Sequence, residues 1–148
     1  MSRDPMSVLE ELHGYFLEDL EIGMTELYAK TITEADIVMY AGVSGDTNPV
    51  HLNAEFAEQT IFKERIAHGM LSAGLLSTVF GTKLPGPGAI YMNQSLNFKA
   101  PVCIGDTVVA RVNLREINGK RVTFDCVCTI GDTVVLDGEA TLMVSRRS

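Results

Sequence analysis

Gly69-Met-Leu-Ser-Ala-Gly-Leu-Leu-Ser-Thr-Val-Phe-Gly81 is the least polar stretch of the chain, and it carries apolar side chains all round instead of along one stripe. A helix of that kind is buried on most sides. His68-Gly69 stands at its start, and Lys83-Leu-Pro-Gly-Pro-Gly88 stops it, because two prolines and two glycines forbid continuation. Beyond Ala89 the period changes. The runs 89–98, 106–114, 121–130 and 133–144 are rich in β-branched residues and partly alternate, which predicts four strands. Asn118-Gly119 suits a type I′ turn and Gly131-Asp132 a tight reversal, so the last three strands should form an antiparallel meander. Shorter strands are expected around Thr25 to Thr31 and Phe16 to Leu20. Thr33, with Asp36 three residues on, resembles a capping box and predicts a short helix ending near Gly42. A long apolar helix and a long antiparallel sheet bury each other by wrapping the sheet around the helix, an α+β arrangement.

The 148 residues, 46% of them hydrophobic, suffice for one core and are too few for two ordinary domains, so residues 1–148 are read as a single domain. Twelve Lys and Arg against 19 Asp and Glu give a net charge of -7, which disfavours nucleic acid as a partner. An anionic ligand then requires a local basic patch. No apolar run reaches the length of about eighteen residues that a membrane span needs, and the N-terminus lacks the apolar stretch of a signal peptide. A soluble, cytoplasmic protein is expected. Met6 can itself serve as a start, and residues 1–5 are left out of the fold reasoning. Cys103, Cys126 and Cys128 form an odd set that predicts free thiols; Cys126 and Cys128 share one face of a strand and read as small buried filler.

Two segments carry candidate chemistry. In Ser44-Gly-Asp-Thr-Asn-Pro-Val-His51, Pro49 fixes one backbone angle and restricts Asn48 before it, so the loop should be stiff. Asp46 and His51 then present two titratable groups, the kind of pair that acid-base addition of water needs. On spacing alone, the alternative stands beside it: Asp46 capping a turn and His51 an ordinary surface residue. In Ile66-Ala-His-Gly-Met70, Gly69 opens the apolar helix. Helix N-termini offer free N–H groups, and glycine lets a ligand oxygen approach the backbone, so Gly69 is a candidate oxyanion donor. His68 reads as a residue that orders the loop or caps the helix, with a functional role the alternative. Ser77, about two turns from Gly69, either bonds the Asp46 carboxylate or bonds its own helix backbone.

Gly45-Asp-Thr-Asn-Pro-Val-His-Leu52, followed by Ala67-His-Gly-Met-Leu71 and then Ser77, resembles the MaoC-like hydratase family, and within it the short (R)-specific enoyl-CoA hydratases. The similarity extends from about Thr31 to Val144 and includes Leu84-Pro-Gly86 and Gln94-Ser-Leu-Asn-Phe98. It implies a hot-dog fold, a homodimer with substrate tunnels near the subunit interface, and no metal or redox cofactor, with a coenzyme A thioester as substrate. By this resemblance Asp46 and His51 activate water and deliver a proton, Asn48 helps to hold the site, Gly69 N–H binds the thioester oxygen, and Ser77 lines the pocket. No site position departs from the family pattern. Phe80, one turn beyond Ser77, is the candidate floor of the acyl pocket. Two other functions remain open: a hot-dog thioesterase, directing water at the thioester carbonyl, and a non-catalytic module that binds acyl thioesters. Whether the product feeds polyester storage, fatty-acid breakdown or another route is not written in the residues.

Overall fold

A computed structural model describes residues 5–147; residues 1–4, set aside in the sequence reading, lie outside them. Helix α1 (Pro5–Leu12) and a 3-10 turn (Leu17–Asp19) lead into strand β1 (Thr25–Thr31). Helices α2 (Glu34–Ser44), α3 (Pro49–Leu52), α4 (Ala54–Glu58) and α5 (Gly69–Thr82) follow. Strands β2 (Ile90–Gln94), β3 (Asn97–Phe98), β4 (Thr107–Asn118), β5 (Arg121–Ile130) and β6 (Thr133–Met143) complete the chain. The antiparallel sheet runs β1-β4-β5-β6-β2, with β3 also on β6. The α+β hot-dog arrangement holds, and the β4-β5-β6 meander is as the turn signals predicted.

Alternation decides which face of the sheet meets α5. Val108, Ala110, Val112 and Leu114 on β4, and Val122, Phe124, Cys126 and Cys128 on β5, are all buried, while their neighbours face outward. Against them α5 lays Leu75, Leu76, Val79 and Phe80. Burying a side chain of this size contributes about 1.5–3 kcal/mol, so this one contact supplies much of the fold's stability. Cys126 and Cys128 are the small buried filler expected of them, and burial pushes their thiols up to about 11 and about 12.

Four local expectations change. Phe16 to Leu20 is not a strand: the Asp19 carboxylate accepts from Phe16 N–H and closes a 3-10 turn. The stretch 89–98 divides into β2 and β3 around Ser95, whose N–H bonds the Glu139 carbonyl. The β4-β5 loop is Gly119-Lys120, and only Gly119 has positive φ (62°), whereas a type I′ turn needs it at both positions. Helix α5 is not covered all round: Met70, Gly74, Ser77 and Gly81 form an exposed stripe at i, i+4, i+7 and i+11.

Helix α2 matters because it delivers the site loop. Its start is a capping box: Asp36 N–H donates to Thr33 Oγ1 at 3.2 Å, and Thr33 N–H to Asp36 Oδ2 at 2.9 Å. It ends at Gly45 with φ 79°, three residues beyond the expected Gly42. Burial raises the Asp36 pKa, but the Thr33 N–H and hydroxyl and the Lys30 ammonium 3.2 Å away outweigh it, holding the carboxyl below its ordinary value. A lowered folded-state pKa stabilises the protein above the unfolded value of about 3.9, and that stabilisation is lost as pH falls through the folded value. Asp36→Asn is therefore expected to cost on the order of 1 kcal/mol at pH 7 and to flatten the acid limb of a Tm-against-pH curve below about pH 4. Phe80→Ala, which empties the centre of the helix-sheet contact, is expected to cost about 3–5 kcal/mol in denaturant unfolding.

Candidate active site

The loop after Gly45 turns on its own side chains. Asp46 N–H donates to Ser44 Oγ (3.1 Å), Asn48 N–H to Asp46 Oδ1 (3.3 Å), and Val50 N–H to Asn48 Oδ1 (3.1 Å). Asn48 thus caps α3, with Pro49 in its first turn, and one turn of helix is enough to carry His51 inward. His51 is buried, while Asp46 stays exposed. Arg65 fastens this turn to the body. Its Nε donates to the His51 carbonyl at 2.6 Å, and its two terminal nitrogens fork onto the Glu34 carboxylate at 2.7 and 2.9 Å.

Hydrogen bonds fix the protonation pattern of both histidines. His51 Nδ1 lies 2.8 Å from the Ile66 carbonyl, and a carbonyl only accepts, so Nδ1 carries the hydrogen. In neutral His51 the lone pair therefore sits on Nε2, free to take a proton. His68 is the mirror case: Nε2 donates to the Asp46 carbonyl at 2.9 Å, leaving Nδ1 as the acceptor. The two rings stack at 3.9 Å, and Tyr40 leans on His68 at 4.6 Å. Asp46, His51 and His68 each offer one donor atom, all within 4.8 Å of one another. A carboxylate and two imidazoles form a set that a transition-metal cation also accepts.

A cavity of about 490 Å³ opens beside this cluster. Asp46, His51, His68 and Gly69 line it, Ile66, Val102 and Leu136 give it an apolar wall, and Lys99 stands at its rim with its side chain half exposed. Gly69 is the first residue of α5, so its N–H has no intrahelical partner. A Cβ there would stand 2.6 Å from the Phe98 ring, so any other residue would require that ring to move. The arrangement combines a base lone pair, a carboxylate and an oxyanion donor around an apolar chamber. It can move a proton beside a polarised carbonyl.

Of the residues singled out from sequence, Asp46, His51 and Gly69 converge on the cavity, and Asn48 supports it through backbone bonds. Two others do not reach it. Ser77 lies on the exposed stripe of α5, away from Asp46. Phe80 is 1% exposed and packs edge-on against Phe124 and Tyr91, so it belongs to the core and not to the cavity floor. Ser72 takes the cavity-facing place on the helix. His68 orders the loop, as expected, though through the Asp46 carbonyl and with no side-chain cap on α5. Lys99 escaped sequence reasoning; the only signal was its place directly after the Gln94–Phe98 segment.

Residues 21–139 match the MaoC like domain family. The chain is 55% identical over 140 residues to an (R)-specific enoyl-CoA hydratase of Rhodospirillum rubrum, covering 93% of this chain and 97% of that protein. It is 49% identical over 142 residues to a 3-hydroxybutyryl-CoA dehydratase of Methylorubrum extorquens, covering 95% and 90%. Among solved structures, the unliganded R-hydratase PhaJ1 of Pseudomonas aeruginosa superposes with a TM-score of 0.87 at 42% identity, covering 92% of this chain and 89% of that one. The Asp46-to-His51 loop, the Gly69 helix start and strands β1 to β5 all fall within the matched span, and the chain belongs to the MaoC-like domain family.

Proposed function

We propose that this protein is an (R)-specific enoyl-CoA hydratase, adding water reversibly to a trans-2-enoyl-CoA to give an (R)-3-hydroxyacyl-CoA. The observation that carries the reading is His51, its Nδ1 held by the Ile66 carbonyl, clustered with the Asp46 carboxylate within 4.8 Å on a cavity that Gly69 also lines. The relatives named as an (R)-specific enoyl-CoA hydratase and as a 3-hydroxybutyryl-CoA dehydratase support it.

In this mechanism the enoyl chain lies in the apolar cavity with its thioester oxygen on Gly69 N–H. Asp46 and His51 hold a water molecule; the pair takes a proton as the oxygen attacks C3 and returns one to C2. Negative charge meanwhile collects on the thioester oxygen, where one backbone donor is worth roughly 2.7–4 kcal/mol in comparable sites. Because Asp46 and His51 stand together on one side of the cavity, oxygen and hydrogen add to the same face of the double bond, and that face sets the hand of the product. Base, acid and oxyanion donor are all side-chain or backbone groups of this chain, so the reaction as proposed uses no metal or redox cofactor.

Lys99 at the rim is the cation placed to meet the phosphates of coenzyme A. A second copy of the chain is the proposed partner. Support comes from the exposed stripe Met70-Gly74-Ser77-Gly81 on α5 and from β2 at the sheet edge, where Ile90 and Met92 are exposed. No helix among the described residues is long and apolar enough to cross a membrane, and we place the enzyme in the cytoplasm, where acyl-CoA is made and used.

Incubation with crotonyl-CoA is expected to consume the conjugated enoyl absorbance without freeing thiol and to yield (R)-3-hydroxybutyryl-CoA. Free CoA with the double bond intact would instead make the protein a thioesterase, and an (S) product would refute the assignment. Asp46→Asn, and His51→Asn, which keeps a donor for the Ile66 carbonyl, are each expected to lower kcat by about 10²–10⁴-fold. Tm should stay within a few degrees of the unsubstituted protein; turnover that survives both changes would place the chemistry on other residues, and an unsubstituted protein that binds acyl-CoA without turning it over would be a binding module.

A further inference from the structure

We propose that His68 Nδ1 and Ser72 Oγ form a second polar subsite on the cavity wall, one that takes a single hydroxyl-bearing group between them. The proposal rests on the hydratase reading and deepens it by naming a chemical feature of the ligand. Both residues line the cavity, both are buried at 2% and 3% exposure, and among the described residues neither atom has a hydrogen-bond partner. Buried polar atoms without partners are few in folded proteins, because leaving one unmade forfeits its hydration. Ser72 also has an ordinary escape, a bond from its hydroxyl to the carbonyl four residues back, and does not use it.

His68 is the N-cap residue of α5 and Ser72 lies in its first turn, four residues on, and both line the same cavity. His68 Nε2 is committed to the Asp46 carbonyl, so Nδ1 is an acceptor. The serine hydroxyl both donates and accepts. One oxygen bearing a hydrogen satisfies the pair, donating to Nδ1 and accepting from Ser72. A carbonyl, a carboxylate or an alkyl group cannot donate to Nδ1. Ile66, Ala67, Val102, Val135 and Leu136, which line the same cavity, are apolar and offer the two atoms no partner. Two sources supply such a group: a water molecule held beside the catalytic pair, or a hydroxyl on the acyl chain. Either one steadies the His68 ring, and through the stack at 3.9 Å, the His51 ring.

The test is a double-mutant cycle with Ser72→Ala, His68→Gln and the double variant. Glutamine retains an N–H for the Asp46 carbonyl and has no atom at the Nδ1 position. Each protein is assayed on crotonyl-CoA and on 4-hydroxycrotonyl-CoA, and the thermal shift that each saturating thioester induces is measured alongside. Each single variant is expected to lose at least about tenfold in kcat/KM on one or both substrates, with the double no more than about twofold worse than the poorer single. A loss confined to 4-hydroxycrotonyl-CoA identifies the acyl hydroxyl, and an equal loss on both identifies water. Ser72→Ala kinetics within twofold of the unsubstituted enzyme on both substrates, or losses that multiply in the double variant, overturn the proposal. Absence of hydration by the unsubstituted protein would refute the hydratase reading alone. The subsite is then judged by the thermal shifts, where additive effects of the two substitutions count against it.

Discussion

Leu75, Leu76, Val79 and Phe80 seated against the buried face of β4 and β5 hold α5 in one position, and the polar edge of the cavity hangs from the start of that helix. A helix anchored along one face has its first turn placed by the same contact, because successive turns are rigidly related. Gly69 N–H, His68 and Ser72 thereby gain fixed places before any ligand arrives. The loop carrying Asp46 and His51 has little core of its own. It is held against that helix start by single hydrogen bonds: His51 to Ile66, His68 to Asp46, and Arg65 to the His51 carbonyl. Packing positions one half of the site and polar bonds position the other.

This division explains what could be read from the residues. The strands of the meander and the bounds of α5 follow from periodicity and from Gly and Pro punctuation, and both are local signals. Asp46, His51 and Gly69 could be singled out because a stiff loop and a glycine at a helix start have meanings that do not depend on the rest of the fold, and the structure brings all three to one cavity. Ser77 shows where that ends. At about 100° per residue, Ser72 and Ser77 are rotated from Gly69 by roughly 60° and 80° in opposite senses, so periodicity ranks them almost equally. Only the side on which the sheet lies separates them. Phe80 failed for a related reason: the cavity meets α5 at its first turn, and further along the same apolar character serves the core.

The protonation pattern of the two histidines was equally out of reach, since it depends on carbonyls supplied from distant parts of the chain. Ile66 is 15 residues from His51, and Asp46 is 22 from His68. Both acceptors belong to the backbone, which any residue could provide at those points. Side-chain identity therefore carried no trace of them. Lys99 is legible only through the tertiary structure for the same reason, as its rim position comes from the course of the chain after β3.

Strand β6 contains one residue more than its partner beside the cavity: Cys128 pairs with Leu136 and Thr129 with Val134, leaving Val135 unopposed. Such an insertion interrupts the strict inside-outside alternation, and Val135 and Leu136 are consecutive buried residues that both line the chamber. The width of the chamber is therefore set in part by a counting irregularity in a strand remote in sequence from the loop that carries Asp46 and His51. Adding or removing one residue in β6 at this point would reshape the chamber and leave Asp46, His51 and Gly69 where they are, so the form of the cavity and the residues at its polar end can vary independently within one scaffold.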